Sequence, residues 1–270
     1  MDNTFDKMFY SEGNLIAGVD ESGVSDIAGP LVAACVILPK IDIQKDDLRI
    51  FEVNDSKQIP EKYRDRHAEI IWQSAIAIGI GEVQPAEMDY LGKATSIRVA
   101  MFRAISACRN AHGKAVRPDL ILIDRVDNTY LPIKIKQNLI EYGDEKSLCI
   151  AAASVVAKVY RDKIMIRLHE RYPHYDWISN KGYPCENHFK GIDEYGVQIG
   201  IHRIRRWPFV KNPSLQEERQ KWESRRLLWK KVTVTALNTE TDPKLLKLKR
   251  SSLKCSQPNK PESQETTPTG

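Results

Sequence analysis

Two short runs of almost unbroken apolar residues, 15–19 (LIAGV) and 31–38 (LVAACVIL), punctuate an otherwise polar N-terminal third. Runs of that length without alternation predict strands buried on both faces of a mixed or partly parallel sheet. A polar, turn-rich loop from Asp20 to Pro30 separates them. From Pro60 to Ser74 the pattern changes period: Ile59, Tyr63, His67, Ile70 and Ile71 recur at near-helical spacing, and Pro60 suits a first helical position. A strand is predicted over Ala75 to Val83, then a helix over Thr95 to Asn110 carried by Ile97, Met101, Ile105 and Cys108. Leu120 to Ile123 reads as a short strand that ends on Asp124, and Lys134 to Gly143 followed by Ser147 to Arg167 adds another strand and helix. This alternation predicts an α/β architecture.

Beyond Val210 the pattern thins. One helix is expected at Leu215 to Lys231, opened by a capping box of Ser214 and Glu217. Leu215, Trp222 and Trp229 fall seven apart on one face, which reads as a docking face against the body. The segment SQPNKPESQETTPTG has the composition of a disordered end. The expected division is a globular body over 1–210, a basic and partly helical extension over 211–252, and a disordered tail over 253–270.

Charge sharpens that division. The 270 residues carry a formal net charge of +5. Residues 211–270 hold 13 basic and 7 acidic side chains, whereas residues 1–210 hold 28 and 29, so the body is nearly neutral and the extension is basic. A basic extension suits an anionic partner such as nucleic acid, and serves equally as a solubilising tail. The longest apolar run, Leu31 to Leu38, is far short of the about 18 residues of a membrane span. The N-terminus, with Asp2, Asp6 and Glu12, lacks the basic-then-apolar order of a signal peptide. A soluble, cytoplasmic protein with no membrane partner is expected, and a monomer. Five scattered cysteines (Cys35, Cys108, Cys149, Cys185, Cys255) fit a reducing compartment and read as structural thiols rather than zinc ligands.

Candidate chemistry lies in the carboxylates. Asp20 and Glu21 end a buried apolar strand and are followed by Gly23, Gly29 and Pro30. Adjacent carboxylates repel unless neutralised, and oxygen-rich sites suit Mg²⁺ or Mn²⁺. An acidic pair alone is equally an ordinary solvent-facing feature. Asp124 ends a second apolar strand, and strand ends of one α/β sheet converge on one crevice, although a turn or cap role also suits it. Asp144, in the turn YGDEKS, precedes the small-residue run Ala151 to Ser154 that opens an apolar helix. Four acids on strand ends and turns are consistent with a two-metal phosphodiesterase, whose ions sit about 3.5–4 Å apart.

At this point the residues resemble a known family. LIAGVDESGVSDIAGPLVAACVILP, NDSKQIPEK, ILID, YGDEKSLCIAAASVVAKVYRDK, and KGYPCENH followed by GIHRIRRWPFV look like the successive motifs of ribonuclease HII, a type 2 ribonuclease H, in order from Leu15 to Val210. The resemblance implies a ribonuclease H-like fold, a central mixed β-sheet flanked by helices with a helical C-terminal part, and makes 1–210 the catalytic domain. It implies hydrolysis with Mg²⁺ or Mn²⁺ on the 5′ side of a ribonucleotide in duplex DNA or in an RNA–DNA hybrid, leaving 3′-hydroxyl and 5′-phosphate ends. The family's catalytic and metal-binding carboxylates fall on Asp20, Glu21, Asp124 and Asp144. Its substrate-sensing tyrosine falls on Tyr183, set to detect the 2′-hydroxyl that separates RNA from DNA. The substrate loop falls on Gly23, Val24 and Ser25, and Lys57, Arg203, Arg205 and Arg206 become phosphate-contacting candidates, each equally readable as a solvated charge.

The loop departs from the family pattern. Ala-Gly-Arg-Gly-Pro is replaced by Ser22-Gly23-Val24-Ser25-Asp26 without a change in length. Ser25 adds a Cβ where close approach or an unusual φ is expected, and the arginine's fork of donors is lost. The related ribonuclease HIII has Gly-Thr-Gly-Asp here, but only about 14 residues precede the first strand, too few for that relative's extra N-terminal domain. Leu91-Gly92-Lys93 likewise replaces a usual polar run. Three readings follow: an active endoribonuclease with altered junction preference, a non-catalytic hybrid- or duplex-binding protein of the same fold, and a nuclease of plain DNA, against which Tyr183 speaks.

Overall fold

The computed structural model describes residues 4–12, 15–40, 60–124 and 130–205. Its strands are β1 (Ile16–Ser22), β2 (Leu31–Ile37), β3 (Ala77–Val83), β4 (Leu120–Asp124) and β5 (Lys136–Ile140), in the sheet order β3-β2-β1-β4-β5. β1, β2 and β3 pair antiparallel, whereas β1, β4 and β5 pair parallel, so the sheet is mixed as expected. The parallel half gathers strand ends. It brings the C-terminal ends of β1, β4 and β5 to one edge, with Val19 opposite Ile123 and Asp124 opposite Ile140.

The helices are α1 (Thr4–Lys7), α2 (Glu61–Ser74), α3 (Pro85–Leu91), α4 (Lys93–Ser106), α5 (Gly143–Lys146), α6 (Leu148–Arg171), α7 (Trp177–Asn180) and α8 (Glu186–Tyr195), with a 3₁₀ turn at Pro173–Tyr175. None is long and apolar enough among the described residues to cross a membrane. Side-chain alternation along β2 sorts them into two layers. Val32, Ala34 and Val36 pack with α2 and α6, while Leu31, Ala33, Cys35 and Ile37 pack with α3 and α4 on the other face. Burial of one such aliphatic side chain contributes about 1.5–3 kcal/mol. The wholly buried β2 therefore contributes more than edge strand β5, which has no buried residue.

Differences from the expected elements are local. β1 continues to Ser22, so Asp20 and Glu21 belong to the strand itself. α3 and α8 were not expected; α3 starts with Pro85 and a capping box between Gln84 and Glu87. The expected elements at 215–231 and the boundary at 210 lie outside the described residues. α6 lies unusually close to β1: a Cβ on Gly18 would sit 2.0 Å from the carbonyl carbon of Cys149. The start of α6 is secured by Ser147, whose hydroxyl accepts from Ile150 N at 3.2 Å, and by Asp6, whose carboxylate accepts from Cys149 N at 3.1 Å.

Candidate active site

Strand alternation sends Asp20 toward α6 and Glu21 toward α4. Asp20 accepts from the Ser154 hydroxyl and, at 2.7 Å, from Glu21 N. Burial, followed by the neighbouring charges of Asp124 and Asp144, still pushes its pKa up to about 7. Glu21 is held well above the ordinary carboxylate range by burial and then by Asp20 and Asp124, with Lys93 the modest counterweight. Its Oε2 is buried and has no hydrogen-bond partner. Asp124 accepts from Gly143 N at 2.8 Å through Oδ1. Asp144, on α5, is buried beside it. The four acids thus form one concentration of negative charge. They are not closed on a single point, since among the described residues no three His, Cys, Asp or Glu side chains form a ready ligand set.

Asp20, Glu21 and Asp124 open into a cavity of about 630 Å³ whose other walls are the loop 22–26, the start of α2, the middle of α6 and the turn at 179–183. The cations Arg64, Lys158, Arg161 and Lys181 also line it. Lys158 pairs with Asp162, and Lys181 with Glu61 at 2.7 Å. Tyr183 stands at the same cavity with 56% of its surface exposed. It is therefore available to a ligand rather than packed into the core.

Behind Tyr183 lies a layer of aromatic and histidine side chains. Tyr175 stacks on Trp177 with centroids 4.7 Å apart. Gln198 N donates to Nδ1 of His202 at 2.8 Å, so the proton of His202 resides on Nε2 and faces Nε2 of His188 at 3.2 Å. His188 Nε2 also accepts from Trp177 Nε1 at 3.0 Å, which leaves His188 Nδ1 to donate to the Tyr183 carbonyl at 2.9 Å. Both rings are neutral: burial lowers the pKa of His188, and burial with His188 alongside lowers that of His202 to about 3. This chain of hydrogen bonds runs from α8 and the segment after it to the backbone of Tyr183.

The structure therefore brings together Asp20, Glu21, Asp124, Gly23, Val24, Ser25 and Tyr183, with Asp144 directly behind. Lys57 and Arg206 lie outside the described residues. Arg203 needs correction. It is neither a phosphate contact nor a solvated charge but is fully buried, donating to the carbonyls of Gly23, Val24, Asp26 and Gly29. Arg205 Nη1 donates to the backbone carbonyl of Asp89, whose carboxylate accepts from Ile204 N and Arg205 N. Ser25 does not adopt the left-handed φ expected to strain it; within this loop the positive φ values belong to Gly23 and Gly29. Ser154, Lys93, Arg64, Lys158 and Arg161 were missed. Ser154 had a signal as the polar member of a small-residue run, and Lys158 and Arg161 stand in the same YGDEKSLCIAAASVVAKVYRDK motif with no role assigned to them.

A family model described as Ribonuclease HII matches residues 17–212. The Ribonuclease HII of Caldanaerobacter subterraneus subsp. tengcongensis is 42% identical over 200 residues, which cover 74% of this chain and 77% of that protein. Among solved structures, the ribonuclease H2 from Pyrococcus horikoshii OT3 superposes with a TM-score of 0.56 at 24% identity, over 78% of this chain and 98% of that one. Bst ribonuclease HIII in complex with Mn²⁺ superposes with a TM-score of 0.53 at 16% identity, over 77% and 72%. The last two likenesses concern the fold.

Proposed function

The chain belongs to the ribonuclease HII family, and on that premise we propose that it is a divalent-metal-dependent endonuclease that cuts 5′ to a ribonucleotide, in the RNA strand of an RNA–DNA hybrid or within duplex DNA, leaving 3′-hydroxyl and 5′-phosphate ends. The observation that carries the reading is the cavity whose walls Asp20, Glu21 and Asp124 share with Tyr183. Its donor set fits a hard cation: all four side chains offer oxygen, and the buried, unpartnered Oε2 of Glu21 is an acceptor that no protein group satisfies. Asp20, Glu21, Asp124 and Asp144 are the residues to hold Mg²⁺ or Mn²⁺.

A divalent cation bound there supplies Lewis acidity toward the phosphoryl oxygens and offsets the repulsion among the carboxylates. The remaining roles belong to the chain. The Ser154 hydroxyl and the amide of Gly143 orient Asp20 and Asp124 before any ligand arrives. Arg64 and Lys158, the latter held by Asp162, line the same cavity and are the side chains placed to meet the strand's phosphates. Tyr183, its backbone fixed by His188, sets an exposed ring against the sugar whose 2′-hydroxyl distinguishes the substrate.

The test is cleavage of two end-labelled duplexes, one with a lone ribonucleotide in DNA and one with an RNA strand on DNA, each with Mg²⁺ or Mn²⁺. Metal-dependent cutting of either, lost by about 10³-fold or more (roughly 4 kcal/mol of barrier) in a folded Asp124→Asn protein, is expected. Salt-sensitive binding with no cutting by the unmodified protein would overturn the assignment in favour of a binding protein.

A further inference from the structure

The loop 23–30 and the turn 181–183 reach the cavity from different parts of the chain, yet one side chain ties them together. Arg161 donates through Nε to Pro30 O at 2.9 Å, through Nη2 to Ala28 O at 3.0 Å, and through Nη1 to Lys181 O at 2.8 Å. Its Nη2 also lies 2.7 Å from Asp26 Oδ2, with side-chain exposures of 2% and 12%. The backbone reinforces the joint, because Ile27 N and Ala28 N both donate to Gly182 O. Arg161 also fixes the shape of the loop's first turn: a Cβ on Gly23 would fall 2.1 Å from Arg161 Nε, and Gly23 holds φ +88°.

Arg161 lies on the same helical face as the side chain that meets the carboxylates. Ser154, Lys158 and Arg161 stand at i, i+4 and i+7 on α6, so the Asp20 contact, the cavity cation and the loop clamp share one rigid element. A buried ion pair is weak as a source of stability, and its best-attested use is to specify one arrangement over others. Here the partner of that pair, Asp26, stands where the family pattern has proline.

We propose that Arg161, charge-matched by Asp26, is a positioning residue that sets the span between the backbone of loop 23–25 and the Tyr183 ring, and so the preference for a ribonucleotide over a deoxyribonucleotide at that spot. The inference rests on the substrate class proposed above and deepens it. It also gives the altered loop a support of its own, the grip of Arg161 from beneath.

The test reads binding, in chelator, so that nothing is cut: the ratio of affinities for a duplex carrying one ribonucleotide and for the same duplex in DNA. Asp26→Asn should lower that ratio by about tenfold. Tyr183→Ala should lower it likewise, and the double variant no further, because a misplaced ring and an absent ring forfeit the same contact. General loosening of the structure would instead give losses that multiply. Should Asp26→Asn fail to fold by circular dichroism, Arg161→Lys keeps a charge beside Asp26 but gives up the planar fork, and takes its place in the same cycle. An unchanged ratio in a folded variant, multiplying losses, or no preference in the unmodified protein would each overturn the inference. Cutting of the labelled duplexes would meanwhile leave the proposed activity standing.

Discussion

The carboxylate crevice and the aromatic–histidine layer behind Tyr183 both bury ionisable side chains, and they settle the charge in opposite ways. In the crevice the hydrogen bonds to Asp20 do not offset burial and the neighbouring charges of Asp124 and Asp144, and one oxygen of Glu21 has no partner. In the layer every ring nitrogen of His188 and His202 is engaged and both rings stay neutral. One region stores unfavourable electrostatics that a cation can relieve, and the other is complete. Position in the sheet explains the difference. Strand ends meet at an open edge, whereas the layer is enclosed by α6, α8 and the segment at 196–204.

Stability measurements should separate the two regions, most strongly at Trp177. Trp177→Ala removes a fully buried indole and the donor to His188, and should cost about 3–5 kcal/mol in denaturant unfolding. Asp20→Asn should act in the other direction. A carboxyl raised from 3.8 to about 7 in the folded state favours folding below pH 3.8 and loses that contribution as pH rises through 7. In metal-free protein at pH 8 the variant should therefore exceed the parent by up to about 4 kcal/mol, and the gap should close near pH 4. If Asp20→Asn is destabilising at pH 8, the crevice is not strained and the contrast fails.

His202 titrates with the reverse sign. Its folded pKa of about 3, against 6.5 for the free group, stabilises the fold above pH 6.5 and is withdrawn as pH falls toward 3. That loss amounts to about 3 kcal/mol between pH 7 and pH 4, and His202→Gln should flatten this limb of the stability profile. A smaller effect of about 2.7 kcal/mol is expected from Mg²⁺ or Mn²⁺ at a hundredfold excess over Kd. It should appear as a rise in Tm that Asp20→Asn abolishes and His202→Gln retains. A rise that survives Asp20→Asn would put the ion elsewhere.

Much of the crevice was legible because its parts announce themselves locally. Asp20 and Asp124 follow apolar runs with no competing explanation for strand structure, and the parallel pairing of β1 with β4 does the rest. β5 was recognised with wide margins, since KQNLI mixes polarities as an edge strand does. α3 escaped although Pro85 and the Gln84–Glu87 capping box are start signals; seven residues are too few to show a period. α8 escaped because its inward positions include His188 and Gly191, which an apolar count passes over. The arginines were the hardest. Arg161 and Arg203 bind backbone carbonyls over a hundred residues away, and a carbonyl looks the same in every residue of a sequence.

Gly18 carries a consequence in leverage. α6 has 24 residues and a length of about 36 Å, and its N-terminal turn rests on the bare backbone of Gly18. A methyl group inserted at that fulcrum would tilt the whole rod, and the displacement would grow toward Lys158 and Arg161. A mutation on the strand would thus be felt at the wall of the cavity that Lys158 and Arg161 line, as a change in the calibre of the passage proposed to take a nucleic acid strand.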